Sequence, residues 1–307
     1  LKNYNMKKCI VTGGAGFIGS HIVDKLISMG FEVLVIDDES ATAHEKFNKN
    51  RKASYYKIDI RNYELIEPLF KDVDYVFHLA AESRIQPTID NPVEACMVNF
   101  IGTINVLQAS HKNKVKRVMY SSTSSAYGLK NTPPLKETMQ RDCLNPYSVS
   151  KVGAEDLCKM YYTLYGLETV IFRYFNVYGE REPVKGQYAP VIGLFLRQKK
   201  NGESMTIVGD GLQSRDFTYV KDVVSANILA STCENEKVLG KVLNIGSGEN
   251  YTIKELVEII GGEYKFIPSR EGEARTSLAD ISRAKDLLGW TPQHKLPSYL
   301  DKRQKNG

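Results

Sequence analysis

KKCIVTGGAGFIGSHIVDKL, residues 7–26, decides the fold. A β-branched apolar run ends in Gly13, Gly16 and Gly19 at three-residue spacing, and a run of helical periodicity follows at once over 17–29. Glycines there permit a tight turn from strand to helix and let a pyrophosphate approach the backbone at the positive end of the helix. Phe17 and Ile18 lie inside that turn and share the approach. FEVLVID, 31–37, supplies a second strand ending in Asp37, whose carboxylate suits ribose hydroxyls and repels a 2′-phosphate. Asp38 and Glu39 follow with no arginine beside them, so NAD is expected over NADP, and those two acids read as a solvated turn.

Outward from this unit, strand-like runs alternate with helical ones: YYKID at 55–59, a helix near 62–70, DYVFHLA at 74–80, a helix over 91–112, KRVMYSS at 116–122, a helix over 146–165 and TVIFRYF at 169–175. The alternation predicts a parallel sheet with helices on both faces. Gly30 and Gly166 stand where helix C-caps are expected. After residue 176 the rhythm loosens into a Gly/Pro-containing loop, a helix near 190–200, MTIV, DFTYV, a helix over 221–232, VLNIG, a helix near 252–260, YKFIP and a helix over 280–288. With no repeats and no low-complexity linker, the second lobe is expected to be interleaved: residues 1–175, joined by part of 220–246, form the dinucleotide-binding domain, and 176–219 with 247–307 form a smaller lobe. LKNYN, residues 1–5, adds nothing to the first strand and reads as leader.

The chain has 307 residues, 42% hydrophobic and 25% charged, the composition of an ordinary soluble globular protein. Its net charge of +5 is modest and crowds toward the two ends, which argues against a nucleic-acid surface. Five scattered cysteines without a C-x-x-C pair argue against a disulfide framework or a zinc site, so no metal and a reducing cytoplasm are expected. No apolar run is long enough to suggest a membrane span.

Asp59, after YYKI, with Ile60 beside it, is placed to meet an adenine through side chain or backbone, and Ala80 and Ala81 leave room for a cofactor; each is also ordinary at a strand end. His78 is expected to pack within its strand. Tyr147 and Lys151 stand four apart in NPYSVSK, where Asn145 suits an N-cap and Pro146 the first helical position. A helix brings i and i+4 together. At about 4 Å and an effective dielectric near 20, the ammonium favours the phenolate by on the order of 4 kcal/mol, roughly three pK units, before desolvation.

With TGGAGFIG, Asp37, HLAA at 78–81, Asn99, SSTSSAYG at 121–128, YSVSK at 147–151, RYFNVYG at 173–179, SRDFTYVKDV at 214–223 and REGEARTSLADISRAKDLLGW at 270–290, the chain resembles the extended short-chain dehydrogenase/reductases. More narrowly it is similar to the nucleotide-sugar epimerases and dehydratases, of the UDP-sugar 4-epimerase type that acts on UDP-galactose or UDP-N-acetylglucosamine. The resemblance implies an α/β Rossmann-type doubly wound sheet with a smaller C-terminal α/β substrate lobe, bound NAD with Asn99 among the residues that serve it, and a homodimer formed through helices 91–112 and 146–165. It implies that Tyr147 removes the sugar 4-hydroxyl proton, that Lys151 lowers the tyrosine pKa and holds the nicotinamide ribose, and that Thr123 shares a hydrogen bond with the 4-oxygen. Related 4,6-dehydratases carry Asp-Glu after the hydroxyl residue, where Ser124 and Ser125 stand here, so epimerisation is expected and dehydration is not.

Asn176, Arg215, and Arg270 with Glu273 match positions that grip the nucleotide diphosphate and ribose in this family; Glu273 alternatively pairs with Arg270 or Arg275. Ser277 matches a site where some UDP-galactose 4-epimerases carry tyrosine, and its small side chain leaves volume for an N-acetyl group that Ser124 and Ser125 would bond. Ser83 and Arg84 reach toward the same region. Arg84 would suit a carboxylate, as in a UDP-glucuronate epimerase or decarboxylase, a cofactor phosphate or an outer salt bridge. A non-enzymatic NAD-binding regulator would not need the Thr123, Tyr147 and Lys151 set.

Overall fold

The computed structural model describes residues 6–41, 46–183, 190–268 and 274–305. Its centre is a parallel sheet of seven strands, among them β1 (Lys8–Thr12), β2 (Glu32–Ile36), β3 (Ser54–Tyr56), β4 (Tyr75–His78), β5 (Arg117–Thr123) and β6 (Glu168–Tyr174). The order across the sheet is Val242–Ile245, β6, β5, β4, β1, β2, β3, so the chain winds outward in both directions from β1. This is the doubly wound arrangement expected, and its switch point between β1 and β4 opens a crevice outside the C-terminal strand ends.

The strands read as near-continuous apolar runs because both faces are covered. On one face Val11, Val35, Phe77, Met119, Phe172 and Leu243 pack against Ile22 and Leu26 of helix α1 (Phe17–Ser28) and Val223 of the Val220–Thr232 helix. On the other, their sequence neighbours Ile10, Leu34, Val76, Val118 and Ile171 meet Val106 from the Gly102–Lys112 helix and Ala154 and Cys158 from the Pro146–Tyr165 helix. The alternation of Ile10 with Val11, and of Leu34 with Val35, is the period-two pleat.

The Pro146–Tyr165 helix has the span the sequence predicts. Asn145 accepts the Ser148 amide at 2.9 Å in a capping box, Pro146 opens the first turn, and Gly166 ends the helix at φ +70°. The 91–112 stretch departs from expectation. It is an α-turn over Pro92–Cys96, a π-helical turn over Met97–Ile101 and an α-helix over Gly102–Lys112, preceded by an unexpected helix over Ile85–Asp90. Asn99, in the π turn, is fully buried and aims its amide inward, which is a use of this local widening that hydrophobic periodicity cannot reveal.

After β6 a third apolar cluster forms from Tyr178, Phe195, Met205, Ile207, Phe217, Leu256 and Leu300, the last on an unpredicted helix over Leu296–Lys305. Short sheets pair Met205–Val208 with Tyr264–Ile267 and Ser214–Asp216 with Asn250–Thr252. Between these segments the chain returns through Val220–Thr232 and Val242–Ile245 to the large sheet. Asp216 fastens the crossing: its carboxylate accepts from Ser247 N, Gly248 N and Ala279 N at 2.6, 3.1 and 3.0 Å.

Candidate active site

A cleft of about 940 Å³ lies over the C-terminal ends of the central strands. Gly13 turns at φ +69°, and a Cβ on it would come 2.7 Å from the Ala80 amide nitrogen at the end of β4. A Cβ on Gly19 would come 2.8 Å from Gly14 Cα, so α1 seats directly on the turn. Gly16 is the N-cap of α1 and brings no capping side chain, and the first turn holds no acid. The first amides of α1 therefore keep their donors for a ligand in the cleft, whose wall includes Gly13, Gly16, Phe17, Ile18 and Gly19.

Asp37 directly follows β2 on the same wall, with Oδ2 accepting from Ala15 N and Oδ1 from Glu39 N, each at 2.9 Å. Burial raises its pKa, against those two amides. The held carboxylate keeps lone pairs for hydroxyl donors. A dinucleotide fits this set: uncapped amides for its pyrophosphate and an anchored acceptor for a ribose. Ile60, Ala80 and Ala81 also face the cleft, as does Asp59, whose carboxylate is engaged by Arg61 at 2.6 Å. Asn99 does not reach the wall. Its Nδ2 donates to Glu82 O and Ser150 Oγ, each at 3.0 Å, and its Oδ1 accepts from Glu82 N at 2.8 Å. Ser150 Oγ in turn donates to Tyr147 O at 3.0 Å, so Asn99 ties the loop after β4 to the helix that carries Tyr147. His78 is buried between Thr12 Oγ1 (2.6 Å) and Thr103 Oγ1 (2.9 Å), and burial pushes it down to about 3, a packed neutral residue as expected.

Thr123, Tyr147 and Lys151 meet on the cleft wall between the end of β5 and the first two turns of the Pro146–Tyr165 helix. Burial raises the Tyr147 pKa, and a hydrogen bond with the Thr123 side chain opposes it. Lys151 is 3% exposed; its Nζ lies 4.5 Å from the centre of the Tyr120 ring, and burial pushes it down to about 7. In the cofactor-free chain burial thus acts on both members of the pair, raising the phenol and lowering the ammonium.

Ser83, Arg84, Ser124, Ser125 and Asn176 line the same cleft, Asn176 donating to Asp216 O at 3.0 Å. Arg215 donates to Ser214 O at 2.9 Å, and Ser277 N donates to the same carbonyl at 3.0 Å; both residues stand outside the cleft wall formed by the described residues. Arg270 and Glu273 lie outside the described residues. Sequence reasoning missed Glu82 and Glu182. Glu82 faces the cleft, its pKa raised by burial, and its place directly after HLAA was the available signal. Glu182 is pushed up to about 8 by burial, and nothing in REP marks it as a wall residue. Among the described residues no cluster of histidine, cysteine or acids has a metal-holding arrangement, and no helix is long and apolar enough to cross a membrane.

The family described as NAD dependent epimerase/dehydratase matches residues 9–246. A putative UDP-glucose 4-epimerase of Methanocaldococcus jannaschii is 41% identical over 292 residues, 92% of this chain and 93% of that protein. A UDP-N-acetyl-alpha-D-glucosaminuronate decarboxylase of Bacillus cytotoxicus is 40% identical over 263 residues, 83% of this chain and 79% of that protein. Among solved structures, the UDP-N-acetylglucosamine 4-epimerase of Methanobrevibacter ruminantium, in complex with UDP-N-acetylmuramic acid, superposes with a TM-score of 0.91 at 37% identity, covering 98% of this chain and 97% of that one.

Lys151 titrates at about 7 in the fold against an ordinary value of 10.5, so between those pH values the unfolded chain binds the extra proton. Its contribution to stability therefore rises with pH across that window and is least favourable at and below pH 7. Replacing it (Lys151→Met) should raise the stability of the cofactor-free protein at pH 7 and flatten the slope toward pH 10 in denaturant titrations. A slope unchanged by the substitution would show that Lys151 is not desolvated.

Proposed function

We propose a reaction for this chain from the premise that it belongs to the NAD dependent epimerase/dehydratase family: it is an NAD-dependent 4-epimerase of UDP-sugars. The observation that carries the choice of reaction is the wall around Thr123. Tyr147 and Lys151 face it, and the next two positions on the same wall are hydroxyls, Ser124 and Ser125. A group able to take the 4-hydroxyl proton is present, whereas a base for the C5 proton is not supplied by those two serines, whose hydroxyls ionise far above neutrality. Oxidation at C4 followed by re-reduction is the outcome this set supports.

NAD, when bound, supplies the acceptor and donor of the C4 hydride. The uncapped amides of α1 would hold its pyrophosphate, Asp37 a ribose and Lys151 the nicotinamide ribose. Tyr147 Oη takes the proton of the 4-hydroxyl and returns it, while Thr123 bonds the phenol and orients it toward the 4-oxygen. Lys151, poised near neutrality, supplies positive charge as negative charge gathers on that oxygen, and the cofactor's charge adds to it. The sheet and its helices serve the cofactor, and the lobe built from 176–219 and 247–307 serves the nucleotide sugar. The substrates are the glucose/galactose and N-acetylglucosamine/N-acetylgalactosamine pairs; Ser124 and Ser125 offer the cleft-facing hydroxyls that an N-acetyl group needs. Arg84 favours a second reading, a uronate substrate, because its Nη2 is buried without a hydrogen-bond partner on the cleft wall. The five free thiols suit a reducing cytoplasm. Val93, Met97 and Ile101 recur at helical spacing and are 72, 41 and 37% exposed, and Val149, on the helix packed against that stretch, is 52% exposed, apolar surface suited to pairing with a second copy.

Incubation with UDP-glucose, UDP-N-acetylglucosamine and UDP-glucuronate, with products resolved by NMR, should show inversion at C4 at unchanged mass; loss of water or carbon dioxide would refute the epimerase. Tyr147→Phe should lower turnover by about 10²- to 10⁴-fold, and intact turnover would remove Tyr147 as the base. Arg84→Gln should raise the KM for UDP-glucuronate alone by roughly ten- to a hundred-fold if Arg84 binds a carboxylate, and an equal loss with every substrate would assign it to a phosphate instead. Val93→Glu should convert a dimer to monomer in sedimentation equilibrium, and a wild-type monomer would end the dimer proposal.

A further inference from the structure

The helix that carries Tyr147 and Lys151 also carries Glu155, one turn beyond Lys151 and with no solvent exposure. Its carboxylate is held from two strands. Arg173 of β6 donates Nε to Oε1 and Nη2 to Oε2, both at 2.8 Å, and Ser122 of β5 donates to Oε1 at 2.6 Å. Arg173 is 2% exposed and stacks its guanidinium 4.8 Å from the centre of the Tyr127 ring. Ser122 is the residue before Thr123. One buried ion pair thus joins the catalytic helix to the strand end that presents Thr123 and to the next strand of the sheet.

A buried pair of this kind contributes little net stability compared with apolar packing of the same volume, so its presence asks for another use. The groups around Lys151 indicate one. They are Tyr147, Glu155 and Cys158 from its own helix, His78 from β4 and Tyr120 from β5, with Arg173 of β6 behind Glu155. His78 is pushed down to about 3, while burial raises Tyr147 and drives Tyr120 and Cys158 well above their usual values. All four are neutral near pH 7. Burial lowers Lys151, and Cys158 and Glu155 oppose that; with Cys158 neutral, Glu155 is the anion that acts. Arg173 stays charged throughout.

We propose that Glu155 and Arg173 are positioning residues for the Thr123–Tyr147–Lys151 set: the Glu155 carboxylate supplies the negative charge that Lys151 faces from within the protein, and its bond to Ser122 locks the Thr123 strand end to the Tyr147 helix. The inference rests on the proton-transfer role assigned to Tyr147 and Lys151. Neither Glu155 nor Arg173 lines the cleft, and Arg173 holds Glu155 in place.

The test is the titration of Lys151, followed by NMR of its ¹⁵N-labelled ammonium and assigned by its absence in Lys151→Met, together with the pH profile of kcat in the NAD-loaded enzyme. In Glu155→Gln the Lys151 midpoint should move to lower pH by about one unit or more, since an anion is lost and Arg173 is left uncompensated. The limb of the kcat profile that belongs to Lys151 should move with it, and KM should change little. If Glu155→Gln does not fold, Glu155→Asp withdraws the same charge by one methylene and should move both midpoints the same way by a smaller amount. Ser122→Ala should lower kcat several-fold without moving either midpoint. A Lys151 midpoint that stays fixed in the folded Glu155 variants, with activity lowered equally at every pH, would reduce the pair to a structural tie and overturn the proposal. Intact turnover in Tyr147→Phe would instead refute the catalytic reading and leave the NMR titration as the measure of Glu155.

Discussion

The turn at Gly13 rests its backbone against Ala80, so near that a Cβ would come 2.7 Å from the Ala80 amide. That contact joins the end of β1 to the end of β4 across the point where the winding of the chain reverses. With no side chain between them, the first amides of α1, the Asp37 carboxylate and the two alanines after β4 face one crevice. Gly13 adopts a left-handed conformation there at no steric cost, and Gly19 lets α1 begin on top of the turn. The cofactor half of the cleft depends on this absence of atoms.

The reacting half depends on enclosure. Lys151 is buried and Tyr147 half-buried on one stretch of the cleft wall, and that burial weakens the lysine's charge and resists ionisation of the phenol. The protein meets this with oriented groups: Thr123 bonds the phenol, Tyr120 offers its ring face to the ammonium, and Glu155 faces Lys151 one turn along the helix. Low dielectric strengthens each of these interactions, which is why the pair is useful only where it is costly to ionise.

The chain crosses between the large sheet and the third apolar cluster, and buried carboxylates hold the crossings. Asp216 gathers amides from 247, 248 and 279, while Asp222 accepts from Gln293 N, His294 N and His294 Nδ1 at 3.1, 3.1 and 2.8 Å. Trp290, buried, donates to Asp222 O at 3.1 Å and pins the C-terminal segment to the Val220–Thr232 helix. The cleft beside the sheet is thereby built from segments far apart in the chain. Asn99 makes the equivalent tie on the side of the Pro146–Tyr165 helix, from the loop after β4 to Ser150.

The local features were legible in the residues themselves. The glycine turn, the acid after the second strand, the capped start of the Pro146–Tyr165 helix and the i, i+4 pair on it follow from backbone sterics and helical spacing, which act over a few residues. Periodicity fails where a residue's fate is set by a distant partner. The π turn at Asn99, the final helix over Leu296–Lys305, the buried Glu182 and the distance of Ser277 from the cleft wall belong to that class. So does the direction of the Tyr147 pKa. Spacing brings a positive charge to the phenol, but only the packed fold fixes how much water is excluded, and desolvation is a property of everything around the pair rather than of the pair.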